Sequence, residues 1–172
     1  MKAYFQMFAR YNAWANRALY DHTASLTDAQ YRAERGAFFG SVHGTLNHLL
    51  TTDRIWFQRI TGNAETGTVP DRLDAILFED FADLRAARLA EDMRILAHLD
   101  GLTEAAYAGS IHYRRVSTPD EFDQKLIEAL AHVFNHQTHH RGHAHALLTG
   151  HGVVGPVLDL LQYQRLAEKG LA

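Results

Sequence analysis

Four long stretches of this chain repeat apolar side chains every three or four residues, and no proline interrupts any of them. That period belongs to helices with one face against a core. Over 3–22 the face carries Phe5, Phe8, Tyr11, Trp14, Ala15, Ala18 and Leu19. Over 41–61 it carries Val42, Leu46, Leu49, Leu50, Trp56, Phe57 and Ile60, with Ser41 placed to cap the start and Gly62 the end. Over 75–99 the inward residues are Ile76, Leu77, Leu84, Leu89, Met93, Leu96 and Leu99, with Gly101 where a terminating glycine belongs. The last stretch, 119–149, carries Leu126, Ala129, Leu130, Val133, Ala144, Leu147 and Leu148. Thr118-Pro119-Asp120-Glu121 reads as a cap, a first-turn proline and first-turn acids, so this helix starts there or a few residues later.

Apolar stripes of this kind are buried by packing helix on helix, which predicts an all-α helical bundle. The 172 residues fit a single domain over 1–172. Smaller features fill the gaps. Thr27 to Gln30 matches a capping box and predicts a short helical turn. Residues 33–40 form a glycine-containing loop with Phe38 and Phe39, and Asn63 to Thr68 a polar loop. Ser110 to Val116 alternates and reads as a short strand or extended segment. Pro156 opens a last short helix with Val157, Leu158, Leu161 and Leu166.

Composition removes several functions. The net charge is −3 with histidines neutral, which argues against a nucleic-acid surface, since phosphate binding rests on clustered Lys and Arg. The chain has no cysteine, so disulfides, thiolate metal sites and a thiol nucleophile are excluded. Residues 1–24 show no apolar leader core and no run approaches the ~18 apolar residues of a membrane span. The expected compartment is the cytoplasm, with no membrane partner.

The chemistry concentrates in the fourth stretch. Six of the twelve histidines lie between His132 and His145. Imidazoles one helical turn apart can reach one metal ion. His132/His136, His136/His140 and His139/His143 all have that spacing. At about 100° per residue, His140 lies inside the edge of the apolar arc and His136 at it, while His143, His132 and His139 lie further round. A ligand must face the interior to meet ligands from other helices, so His136 and His140 are the better pair. The third ligand would come from another helix. Among His22, His43, His48, His98 and His112, the wheel places His43 nearer the apolar arc than His48. Asp53 falls inside the second stripe and must find a partner there, with Arg17 or Arg54 the candidates.

Three blocks resemble the signature of the DinB/YfiT-like superfamily: Asn135-His136-Gln-Thr-His139-His140-Arg141-Gly142, Asn47-His48-Leu-Leu-Thr-Thr-Asp53-Arg54-Ile-Trp56, and Tyr11-Asn12-Ala-Trp14-Ala15-Asn16. Their order and separation match as well, so the resemblance covers nearly the whole chain. His143 departs from it, standing where the family usually has Gln. The resemblance implies an up-down-down-up four-helix bundle with a short C-terminal helix. It also implies a homodimer and a divalent metal held by His48, His136 and His140, with His43 as the fallback. Some relatives in that superfamily transfer low-molecular-weight thiols such as bacillithiol, mycothiol or glutathione, and others isomerise thiol conjugates.

Three neutral imidazoles leave coordination positions open, as catalytic rather than structural sites do. A metal there converts a coordinated thiol to its thiolate, which suits a transferase whose small-molecule substrate brings the sulfur. Metal-dependent hydrolysis and a non-enzymatic, stress-induced binding role are the alternatives. Nitrogen ligands suit zinc or nickel first, and iron, cobalt, copper or manganese after them. Asn47, Asn135 and Asp53 are candidates to orient the ligands, and Arg141 either binds a substrate carboxylate or pairs within the bundle. Tyr11, Trp14 and Trp56 line the pocket or belong to the core.

Overall fold

A computed structural model describes residues 1–62, 70–115 and 118–172. The first two predicted helices form nearly where their stripes place them. Helix α1 spans Lys2–Thr23 and a short α2 spans Asp28–Arg32, opened by the Thr27/Gln30 capping box. Helix α3 spans Val42–Thr61: the Ser41 side chain accepts from the Gly44 N–H, and Gly62 closes the helix in the left-handed region at φ 65°. The remaining long helices are α4, Phe81–Gly101, and α5, Leu126–Gly150; a last helix, α6, spans Leu160–Glu168. α1 packs against α4 and α5, and α3 packs against the same two. The chain is therefore mostly helical, with apolar clusters where those faces meet. One centres on Phe5, Phe57, Leu99 and Leu130, another on Leu19, Leu46, Leu50 and Leu148.

Four boundaries differ from the sequence expectation. The third helix starts at Phe81, not at 75, because the Asp80 carboxylate caps the Ala82 and Asp83 N–H groups, and Gly101 is its last residue rather than the one after it. The fourth starts at Leu126, not at 119: residues 121–125 pair as a strand instead. That strand, β2 (Glu121–Lys125), runs antiparallel to β1 (Ser110–Arg114), with Ser110 opposite Lys125 and Arg114 opposite Glu121. The cap-like Thr118-Pro119-Asp120 opens no helix, and Thr118 Oγ1 donates to the Asp120 carboxylate within the connection. The last helix starts at Leu160 rather than at Pro156. The Asn63–Thr68 loop and Val116 lie outside the described residues.

The inward face of α4 is the largest correction. Leu89 and Met93 are 55% and 60% exposed, while Arg88, Glu91 and Asp92 are buried beside Leu84, Ile95 and Leu99. Asp53 finds its partner there, not at Arg17 or Arg54: its Oδ2 lies 2.7 Å from Arg88 Nη1. Arg88 Nη2 lies 2.8 Å from Asp92 Oδ1, which accepts from Asn16 Nδ2 at 3.0 Å. Asn16 Oδ1 and Asn12 Oδ1 accept from Arg141. Gln137 Nε2 donates to Asp53 Oδ1 at 2.6 Å and to the Leu49 carbonyl at 2.9 Å. One buried polar layer thus ties α1, α3, α4 and α5 together. A carboxylate or guanidinium in such a place is tolerable only because it is paired.

Candidate metal centre

Just beside that polar layer, α3 and α5 bring three imidazoles together. His48 comes from the middle of α3, and His136 and His140, one turn apart, from α5. One ring nitrogen from each lies within 4.8 Å of the others. His48 Nε2 is 3.2 Å from His136 Nε2. Ring centroids stand 4.5 Å apart for His48 and His140 and 4.3 Å apart for His136 and His140.

The His48 ring is held on two sides. His48 Nδ1 faces the Leu73 carbonyl at 2.7 Å and donates to it, which leaves its Nε2 lone pair facing His136. Leu73 belongs to the segment joining α3 to α4, and Asn47 pins that segment. The Asn47 Oδ1 accepts from the Leu77 and Phe78 N–H groups at 2.9 and 3.0 Å, and its Nδ2 donates to the Phe78 carbonyl at 3.1 Å. On its other face His48 stacks on Phe39, centroids 3.6 Å apart and planes 19° from parallel. The Phe39 loop can approach α3 this closely because residue 44 is glycine, where a Cβ would collide with the Phe39 carbonyl oxygen.

The electrostatics favour neutral rings. Burial, reinforced by the neighbouring imidazoles, lowers His136 to about 3 and His140 to about 4, and burial lowers His48 as well. Neutral imidazole is the form that ligates a metal. The spacing fits too. Two nitrogens bound at about 2.0–2.1 Å to a tetrahedral ion stand roughly 3.3 Å apart, close to the separation of the His48 and His136 Nε2 atoms. His140 Nδ1 is buried with no hydrogen-bond partner among the described residues.

The other histidines lie elsewhere. His43 Nε2 faces the Phe78 carbonyl at 3.0 Å, so the fallback ligand is turned away. His132 packs on Trp56, centroids 4.8 Å apart. His139 and His143 form a second group with His140, nitrogens again within 4.8 Å, but His139 is exposed. His22 faces the Ala18 carbonyl, His98 packs on Phe57, and His112 meets Asp123 on the hairpin. Asn135 is exposed and lines a different hollow, with Phe8, Tyr11 and Phe134. Arg141 is buried against Asn12, Asn16 and the Tyr11 ring, so its guanidinium serves the interior rather than a substrate. Tyr11 and Trp14 pack on Tyr163 of α6.

A cavity of about 500 Å³ opens beside the imidazoles, and His48, His132, His136, Trp56 and Arg59 are among its walls. A larger one, about 600 Å³, lies near Arg35, Phe38 and His143 but contains none of His48, His136 or His140. Sequence reasoning did not find Gln137, Phe39 or the hairpin wall. The Phe38–Phe39 pair after a glycine and the glycine at 44 were the available signals.

The comparison with known proteins agrees with the three blocks. A curated relative, "Protein DinB" of Bacillus subtilis (strain 168), is 24% identical over 157 residues, covering 87% of each chain. The DinB family profile matches residues 1–171. With a match over almost its whole length, this chain belongs to the DinB family.

Proposed function

We propose that this protein holds one divalent metal ion through His48, His136 and His140 and acts as a metal-dependent transferase of a low-molecular-weight thiol. The observation that carries this reading is the meeting of three imidazoles from two helices, His48 and His140 buried and His136 partly so, with His48 and His136 at the wall of a cavity. A divalent ion held there supplies Lewis acidity and lowers the pKa of a thiol that it coordinates. The chain's own residues do the rest. The Leu73 carbonyl fixes the His48 tautomer, Phe39 fixes its plane, and Asn47 anchors the segment that carries Leu73. Leu73, Ile55 and Trp56 give the cavity an apolar wall against which the carbon skeleton of a substrate packs. The absence of cysteine means that a reacting sulfur arrives with the substrate.

The same reading takes the chain as one domain, an up-down-down-up four-helix bundle and a cytoplasmic homodimer. The packing of α1 and α3 each against α4 and α5 supports the bundle. Among the described residues, no helix is long and apolar enough to cross a membrane. For the dimer, α6 covers part of the aromatic face of α1 through Tyr163, but Leu89 and Met93 stay exposed along α4. Light scattering should give twice the 19.4 kDa chain mass.

The activity is tested with zinc- or nickel-loaded protein, a panel of small thiols and a fluorogenic electrophile. Turnover that is lost on chelation and restored by metal supports the transferase. Stoichiometric metal with no turnover of any thiol would leave a binding protein or a hydrolase. Absence of metal binding would remove the reading entirely.

A further inference from the structure

The cavity beside the imidazoles carries a charge pattern that a metal does not explain. Its wall opposite the helices is the β1–β2 hairpin with its flank, which contributes Tyr113, Arg115, Phe122 and Gln124. Arg59 of α3 enters the same cavity, its guanidinium carbon 4.7 Å from the Trp56 ring centre and 4.4 Å from that of Tyr113. The two rings, themselves 5.3 Å apart and set edge to face, hold the guanidinium from one side; its Nη2 donates to the Arg114 carbonyl at 3.5 Å, and the remaining N–H groups are the available donors. No aspartate or glutamate lines the cavity among the described residues, and there neither Arg59 nor Arg115 forms an ion pair. By contrast Arg10, Arg32, Arg72, Arg85, Arg88 and Arg94 each have a carboxylate partner. Arg59 is half-buried, so its charge stands partly out of water with aromatic faces but no anion beside it.

The geometry points to a small organic anion as the occupant: its carboxylate against Arg59 and Arg115, its apolar body against Trp56 and Tyr113, and its far end at His48 and His136. This deepens the reading above and rests on it only for what the far end meets. A cavity of about 500 Å³ is of the size that encloses a small metabolite. Planar guanidinium groups match carboxylate geometry in a way that the neutral imidazoles across the cavity do not. The hairpin then has a purpose that its poor burial would not give it: it carries one of the two cations.

Phenylacetate and its neutral isostere phenylacetamide are suitable probes, read by Trp56 fluorescence in a Trp14→Phe background that leaves one tryptophan. Titrations are run metal-free and with one equivalent of zinc. Phenylacetate should bind at least about tenfold more tightly than phenylacetamide in both states. Arg115→Gln, at an exposed side chain where folding is not at stake, should reduce the preference, and Arg59→Gln/Arg115→Gln should abolish it while phenylacetamide binding stays unchanged. Equal affinities, no binding of phenylacetate, or a preference that survives the double substitution would overturn the inference. Failure of zinc to bind while the preference holds would instead remove the metal reading and leave the anion pocket standing.

Discussion

Replacing Asp53 by Ala probes the polar layer that holds α3 and α5 in register. Asp53 is 1% exposed, 2.7 Å from Arg88 Nη1 and 2.6 Å from Gln137 Nε2. Its loss leaves Arg88 buried with Asp92 alone. Removing one partner of a buried ion pair costs about 3–5 kcal/mol, because the other charge stays buried. The lower end of that range applies here. The guanidinium nitrogens lie off-axis for hydrogen bonds to Asp53, so charge attraction carries the contact. Arg88→Ala should cost a similar ~3 kcal/mol by stranding two carboxylates. The double variant removes both charges and should cost less than the sum, with a coupling of roughly 2–3 kcal/mol. Burial outweighs Arg88 and raises the Asp53 carboxyl to about 6. The folded state therefore holds this proton more tightly than the unfolded chain does. The group's contribution to stability is complete below its ordinary value near 3.8 and is lost as pH rises through about 6. The coupling should consequently be larger at pH 7.5 than at pH 5, where Asp53 is mostly neutral. Urea unfolding of metal-free protein, followed by circular dichroism at both pH values, gives the four free energies. Single costs that add to within about 0.5 kcal/mol at pH 7.5 would refute the argument.

Two further outcomes follow from the site itself. His136, His140 and His48 have folded pKa values below the ordinary 6.5, so the unfolded chain takes up protons that the fold excludes. Their contribution is complete above pH 6.5 and is lost as pH falls toward about 4 for His140 and about 3 for His136; metal-free stability should drop by up to about 1.4 kcal/mol per pH unit for each imidazole, against the smaller opposite effect of Asp53, and a flat profile from pH 5 to 7 by urea titration would contradict it. Phe39→Ala frees the plane of His48 and should weaken zinc affinity several-fold in a competition titration while costing only about 1 kcal/mol of stability; unchanged affinity would mean that the stacking does not position the ring.

What the sequence made legible depended on whether burial or pairing decides a position. α1 and α3 read correctly because apolar side chains fill their inner faces and Ser41 and Gly62 mark the ends of α3. α4 misled because hydropathy assigns Leu89 and Met93 inward, whereas Arg88 and Asp92 go in once partners on α1 and α3 neutralise them. No single-stretch pattern reveals a partner on another helix. The start of α5 was misplaced for a similar reason: Thr118-Pro119-Asp120 is a sound local cap, but residues 121–125 gain a strand partner in 110–114. His48 lay outside the reach of periodicity, since a side chain at the rim of a core sits where the wheel is least certain. The resemblance to a family supplied it, and the structure places it beside His136 and away from His43.

The central claim is the metal and its ligands, and elemental analysis of purified, reconstituted protein tests it most directly. Wild type should carry one divalent ion per chain. His48→Ala and His140→Ala should each lose tight binding with their helical circular dichroism intact. His43→Ala and His139→Ala should keep the metal, since His43 faces the Phe78 carbonyl and His139 is exposed. A wild type without stoichiometric metal, or a His139→Ala variant that loses the ion while His140→Ala retains it, would contradict the account.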